Sequence, residues 1–249
     1  MAGREGVPAR DRLIFALDVS TATEARELID ELQGTLRFFK VGLRLFVATG
    51  LEVVNYLVGK DLRLFLDLKM DDVTETIRSS VAEVAKLGVE FLTIHGNRAT
   101  AEAAKEGKGN STLKILSLTL LTSLNEQDLR DLFLVGPGRR FPALEDYIVW
   151  RADQALRHGC DGLIASGQNV KLLREKFGPK PLIVCPGIRL QDDLSNDHKR
   201  PSSPRQAIAN GADYLVVGRP IRNASDRINK ANQIIDEIDS ALESTLIPV

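Results

Sequence analysis

The sequence predicts a single-domain α/β fold, a closed (β/α)8 TIM barrel, and three observations carry that prediction. Eight short apolar runs, rich in β-branched and aromatic residues, alternate with eight amphipathic helical stretches. The 249 residues divide into repeats of about 30, which fits a barrel of roughly 250 residues. The first run ends in Ala16-Leu17-Asp18-Val19, without the Gly-rich turn that opens a doubly wound nucleotide-binding sheet.

In chain order, residues 1–10 are charged and contain Gly and Pro, and are expected to form a tail ahead of a barrel over 11–249. The apolar run at 13–18 leads to a helix at 23–33, and the run at 37–41, opening on aromatics, to a helix at 44–58. The strand expected at 63–69 precedes a helix at 73–87, and that at 91–95 a helix at 99–106. Strands at 114–119 and 162–166 are followed by helices at 144–157 and 170–177. The last two strands, 182–185 and 214–218, are followed by helices at 204–209 and 224–242. Three strand entries repeat one device: Leu87-Gly88-Val89-Glu90, His158-Gly159-Cys160-Asp161 and Asn210-Gly211-Ala212-Asp213. In each, Gly can end a helix in the left-handed conformation before the next strand begins.

Composition narrows the function. Lys and Arg number 33 against 34 Asp and Glu, so no overall field gathers nucleic acid or an anionic membrane. The longest stretch free of charged side chains, 115–125, falls far short of the roughly 20 residues a spanning helix needs. The N-terminus lacks an apolar signal core, and Cys160 and Cys185 are too few for a disulfide framework or a Cys-based zinc site. A cytoplasmic enzyme of small molecules is expected, with neither membrane nor nucleic acid as partner.

Barrel chemistry sits at the C-terminal ends of the strands. There the sequence places Asp18, Lys40, Asp67 with Lys69, His95, Thr119 with Thr122, Ser166, Pro186 with Arg189, and Gly218 with Arg219. The sharpest group is Asp67-Leu68-Lys69-Met70-Asp71-Asp72. Asp67 and Lys69, two apart on an extended segment, point to the same side, and Asp72 begins the next helix. Lys40 can join them, and alternating charges keep every member ionised. A salt-bridge network closing the barrel end would use the same residues.

Gly187 with Arg189, and Gly218-Arg219-Pro220, fall in the two loops with which barrels often bind phosphate. Between them the polar stretch 189–203 reads as a lid or a surface loop. Ser166-Gly167 could bond a ligand or simply form a turn. His95, His158 and His198 are too dispersed for a zinc set, so no metal is expected.

These residues resemble one family across nearly the whole chain: orotidine 5′-monophosphate decarboxylase of the bacterial type. The resemblance rests on Phe15-Ala16-Leu17-Asp18-Val19, Lys40-Val41-Gly42, Asp67 through Thr76, Leu121-Thr122-Ser123, Pro186-Gly187-Ile188-Arg189 and Val217-Gly218-Arg219-Pro220. It implies decarboxylation of orotidylate to UMP, the last step of pyrimidine nucleotide synthesis, without a cofactor. By position, it implies that Lys69 donates the proton, with Asp67, Asp72 and Lys40 completing the catalytic array. Asp18, Lys40 and Thr76 would hold the ribose side, Thr122 would meet the pyrimidine, and Arg189, Gly218 and Arg219 would hold the phosphate. Val73, Pro186 and His198 complete the implied substrate contacts. The resemblance further implies an obligate homodimer in which Asp72 to Thr76 reach into the neighbouring subunit's site. The chain departs from the family pattern at Asp197-His198-Lys199-Arg200, where His198 replaces a lid Gln, at Gly96-Asn97-Arg98, and at Ser166-Gly167-Gln168-Asn169, which lacks an acidic residue.

Two rival readings use the same mouth. A related Mg²⁺-dependent barrel, 3-keto-L-gulonate 6-phosphate decarboxylase, shares Asp-x-Lys-x-x-Asp, but Lys40 sets a cation where the metal would lie. A catalytically silent nucleotide-phosphate binding barrel would gain little from a buried charge array.

Overall fold

In the computed structural model, the described residues are 6–95, 97–120, 126–133, 143–190 and 202–246. Eight parallel strands close into a barrel in sequence order. They are β1 (Leu13–Ala16), β2 (Phe38–Gly42), β3 (Arg63–Met70), β4 (Phe91–Ile94), β5 (Lys114–Leu118), β6 (Gly162–Ile164), β7 (Leu182–Pro186) and β8 (Tyr214–Val217). β8 pairs back to β1 with Ile14 opposite Val216. The fold class and all eight strand positions agree with the sequence reading.

The helices are α1 (Ala9–Arg12), α2 (Ala22–Leu32), α3 (Leu43–Thr49), α4 (Glu52–Gly59), α5 (Thr74–Lys86), α6 (Arg98–Lys108), α7 (Glu126–Leu132), α8 (Leu144–Arg157), α9 (Gly167–Phe177), α10 (Pro204–Ala209), α11 (Arg219–Arg222) and α12 (Arg227–Leu246). The single helix expected over 44–58 is two, because Gly50 adopts φ +55° and ends α3. The expected 224–242 helix starts at Arg227, behind the separate turn of α11. Short α1 and α7 have too few residues to register a period. α1 begins inside the stretch expected to be a tail, with Ala9 and Arg12 buried.

Strand alternation divides the core in two. Ile14, Ala16, Phe38, Phe65, Phe91, Leu116, Leu118, Ile164, Val184, Tyr214 and Val216 fill the barrel interior, while the alternate residues pack under the helices. At the N-terminal end Phe91 lies 5.1 Å from both Phe38 and Tyr214. The Arg63 guanidinium sits 4.2 Å over the Phe38 ring and forks onto Glu90 with two 2.7 Å bonds. That end is plugged, and the opposite end carries the polar residues.

The three helix-to-strand glycines do adopt positive φ, +75° at Gly88, +110° at Gly159 and +102° at Gly211. The acidic residue closing each joint is anchored by a base. Glu90 holds Arg63; Asp161 takes Lys108 Nζ at 2.6 Å; and Asp213, almost fully buried, takes Arg174 at 2.9 Å. Asp161 and Asp213 also accept strand amides, from Ile115 in β5 and Ile183 in β7. These clamps fix the strand register from below.

Candidate active site

Asp67 follows Phe65 on the inward face of β3, which places its carboxylate in the mouth. One residue later the strand ceases to be regular. The β3–β4 register shifts between Leu66 and Met70, and Lys69 takes φ +50°. A left-handed lysine costs about 1–2 kcal/mol, and such strain persists where surrounding bonds impose it. Here Thr93 of β4, fully buried, imposes it: its Oγ1 accepts the Lys69 amide at 3.0 Å and donates to Asp67 Oδ1 at 2.9 Å. Asp67 and Lys69 do meet, as the spacing predicts, but through this bulge rather than through simple alternation.

A continuous chain of opposite charges results. Lys69 Nζ donates to Asp67 Oδ1 at 2.7 Å, Lys40 Nζ lies 3.2 Å from Asp67 Oδ2, and the same Nζ lies 3.5 Å from Asp18 Oδ1. The inner pair is nearly closed to solvent, with 10% of the Lys40 and 14% of the Asp67 side chain exposed, against 38% for Lys69 and 51% for Asp18. Burial alone would discharge Lys40, yet Asp67 and Asp18 outweigh it and hold its pKa above the ordinary lysine value. Burial likewise works against the Asp67 anion, but Lys40 and Lys69 prevail and keep its carboxyl below the usual range. Gly42 leaves the room this needs, since a Cβ there would come 3.1 Å from Lys40 Nζ.

Sequence reasoning missed Thr93. Its only signal was a lone hydroxyl at an inward position of an otherwise apolar strand. Asp72 is not brought to Lys69 within the chain. Its exposed carboxylate accepts only the Val73 amide, at 2.7 Å, among the described residues. Val73 is 68% exposed ahead of α5, and Thr76 is exposed on its first turn.

Across the mouth, β7 ends at Pro186 and the chain turns at Gly187 with φ +78°. Arg189 is buried; its Nη1 donates to the Ile188 carbonyl at 2.7 Å and its amide to Ser202 O at 3.0 Å. After β8, Gly218 leaves little space for a side chain: a Cβ would lie 3.3 Å from Asp18 Oδ2 and 3.4 Å from Ala16 Cβ. Half-buried Arg219 opens α11, and Arg222 of the same turn donates to the Asp18 carbonyl. Thr122 and His198 lie outside the described residues.

The remaining reactive groups have other surroundings. His95 is half-buried; burial, with Arg151 and Lys69 nearby, lowers its pKa against the opposing pull of Asp71. His158 pairs with Glu102 at 2.9 Å. Burial pushes the Cys160 and Cys185 thiols up to about 12, which removes them as nucleophiles. Among the described residues no group of three or more His, Cys, Asp or Glu is arranged to hold a metal ion.

Comparison with known proteins gives the chain's family. Residues 11–234 match the model of the orotidine 5′-phosphate decarboxylase / HUMPS family. The orotidine 5′-phosphate decarboxylase of Methylococcus capsulatus is 43% identical over 222 residues, covering 88% of each chain. That of Rhodopseudomonas palustris is 41% identical over 235 residues, covering 94% of this chain and 97% of its own. The crystal structure of orotidine 5′-phosphate decarboxylase from Lactobacillus acidophilus superposes with a TM-score of 0.79 at 32% identity, over 92% of this chain and 99% of that one. With a matched family model over most of its length and relatives above 40% identity, this chain belongs to the orotidine 5′-phosphate decarboxylase / HUMPS family.

Proposed function

We propose that this chain decarboxylates orotidine 5′-monophosphate to UMP and CO₂, the closing step of pyrimidine nucleotide synthesis, without a cofactor. The observation that carries the reading is the Asp18–Lys40–Asp67–Lys69 chain, its inner Lys40–Asp67 pair buried, at the mouth of a barrel of this family. Breaking the C6–carboxylate bond leaves an electron pair in the ring plane, where the π system cannot absorb it. A fixed ammonium at Lys69 stabilises that developing charge and then gives its proton to C6 as CO₂ departs. Asp67 lies against the leaving carboxylate, and Lys40 with Asp18 fixes its position and meets the ribose. Arg189, Gly218 and Arg219 take the phosphate, beside Pro186, and the family resemblance assigns His198, outside the described residues, to the substrate contacts as well. Thr122 contacts the pyrimidine. Binding energy from the distant phosphate can be used to exclude water from the reacting centre.

The catalytic unit is 11–249, preceded by a short tail, and it works as a homodimer. Asp72, Val73 and Thr76, exposed and without a charged partner among the described residues, then complete the neighbour's site. The cytoplasm suits a phosphorylated substrate and two free, buried thiols. No helix among the described residues is long and apolar enough to cross a membrane.

The Mg²⁺-dependent sugar-phosphate reading fits the donor set less well. Both Asp67 oxygens are occupied by ammonium groups, Oδ1 by Lys69 and Oδ2 by Lys40, so a divalent cation would have to displace two positive charges. A spectrophotometric assay with orotidylate, with and without EDTA, tests the assignment. Turnover indifferent to EDTA is expected; activity lost in EDTA and restored by Mg²⁺ would transfer the chain to the rival reaction.

A further inference from the structure

Ser166 stands at the end of β6 in a position the charge array does not use. Its backbone is extended, φ −67° and ψ 153°, and it precedes α9 as the N-cap residue. A serine there normally caps the helix with its hydroxyl, yet this side chain accepts no helix amide. The residue is only 6% exposed, and its Oγ is a buried side-chain polar atom with no hydrogen-bond partner among the described residues. Leaving a hydroxyl so placed costs about 1–3 kcal/mol of desolvation, and a buried unsatisfied group in a folded protein calls for an explanation.

Strand alternation gives its direction. Ile164 belongs to the barrel interior, and Leu163 and Ala165 to the layer under the helices. Ser166 therefore continues the inward register, one level above Ile164. The inward residues nearest in register, Leu118 of β5 and Val184 of β7, are apolar, and Pro186 ends β7 at the height of Ser166. These wall side chains offer a phosphate dianion no charge to offset its desolvation. A flat, neutral ring fits it, and a hydroxyl can donate to a ring carbonyl or accept from a ring N–H.

We propose that the Ser166 hydroxyl hydrogen-bonds the polar edge of the substrate's pyrimidine ring and is thus a specificity contact of the mouth. The proposal rests on the nucleotide reading above. The test compares wild type and Ser166→Ala in UMP and ribose 5-phosphate binding by calorimetry, in thermal unfolding without ligand, and in orotidylate turnover. Ser166→Ala is expected to bind UMP about tenfold more weakly, to bind ribose 5-phosphate as wild type does, and to unfold at the same or a higher temperature. Equal weakening for both ligands would move the contact to the sugar phosphate and overturn the proposal. Unchanged UMP binding with a lowered unfolding temperature would assign the hydroxyl a structural role and overturn it too. Wild-type turnover keeps the two readings apart: an active wild type with an unaffected variant sinks the Ser166 contact alone, whereas an inactive wild type sinks both.

Discussion

Asp67 holds two ammonium groups and a threonine hydroxyl at once, so removing its charge should disturb more than the reaction. In Asp67→Ala the buried Lys40 keeps only Asp18, 3.5 Å away and half exposed. Breaking a buried pair from one side costs about 3–5 kcal/mol, and chemical unfolding of the variant should register a loss of that size at pH 7. The pH dependence has a definite sign. Because the Asp67 pKa is depressed, its contribution is present above the unfolded value of about 3.9 and disappears as pH falls through the folded one. Lys40 is raised, so its contribution is present below the unfolded value of about 10.4 and lost as pH rises through the folded one. Wild-type stability from this pair should therefore be level between about pH 5 and 9, and the acid decline should flatten in Asp67→Ala. A wild-type difference from the variant that persists undiminished at pH 2 would contradict this origin. The charged residues were legible in the sequence because strand ends in a barrel face one place. Thr93 was not, because a single hydroxyl in Phe91-Leu92-Thr93-Ile94 has no periodic signature, and the left-handed turn at Lys69 appears only when β3 and β4 slip in register.

At the scale of elements, the apolar runs fixed the strands well because their central residues are buried on both faces, most completely in β1, β4 and β8. Helix ends were harder. The pattern from Arg44 to Val58 keeps its apolar period across Gly50, and only the positive φ there reveals the break. The joints at Glu90, Asp161 and Asp213 carried a legible repeat whose glycine was understood and whose acid was not, since the basic partners come from elsewhere in the chain. A further junction, between α9 and the loop after β7, has a direct functional consequence. Ile188 bridges Ser202, and Ser202 packs where Gly167 lacks a side chain; a Cβ there would lie 2.2 Å from Ser202 Cβ. Gly167→Ala must push Ser202 aside, and the Arg189 amide that bonds Ser202 moves with it. Displacements of about 1 Å can cost 100-fold, so UMP should compete about 10- to 100-fold less well in this variant. Uridine, lacking the phosphate, should compete as it does in wild type. Equal weakening of both would place the disturbance in the base site rather than at Arg189.

At the scale of the molecule, the plugged aromatic end forces chemistry to the opposite mouth, and under the proposed homodimer two chains would complete that mouth. Asp72 has an exposed carboxylate that accepts only the Val73 amide among the described residues, Val73 is 68% exposed, and α3 presents Leu43 and Val47 at 58% and 76% exposure. These residues follow the adjacent strands β2 and β3, so apolar surface and spare charge emerge from neighbouring strand ends. A two-fold dimer built there would bury the apolar side chains and carry each Asp72 toward the partner's Lys69. Mixing subunits tests this arrangement. Lys69→Ala lacks the proton donor and Asp72→Ala lacks the shared carboxylate, so each homodimer should be inactive while remaining folded. After exchange of equal amounts, half the dimers are mixed, and each mixed dimer has one site with both residues intact and one with neither. Recovery should therefore approach roughly a quarter of wild-type activity per total site. If Asp72 instead serves its own chain's Lys69, no mixed dimer contains an intact site. Activity would then stay at the parental level even after native mass spectrometry had verified exchange.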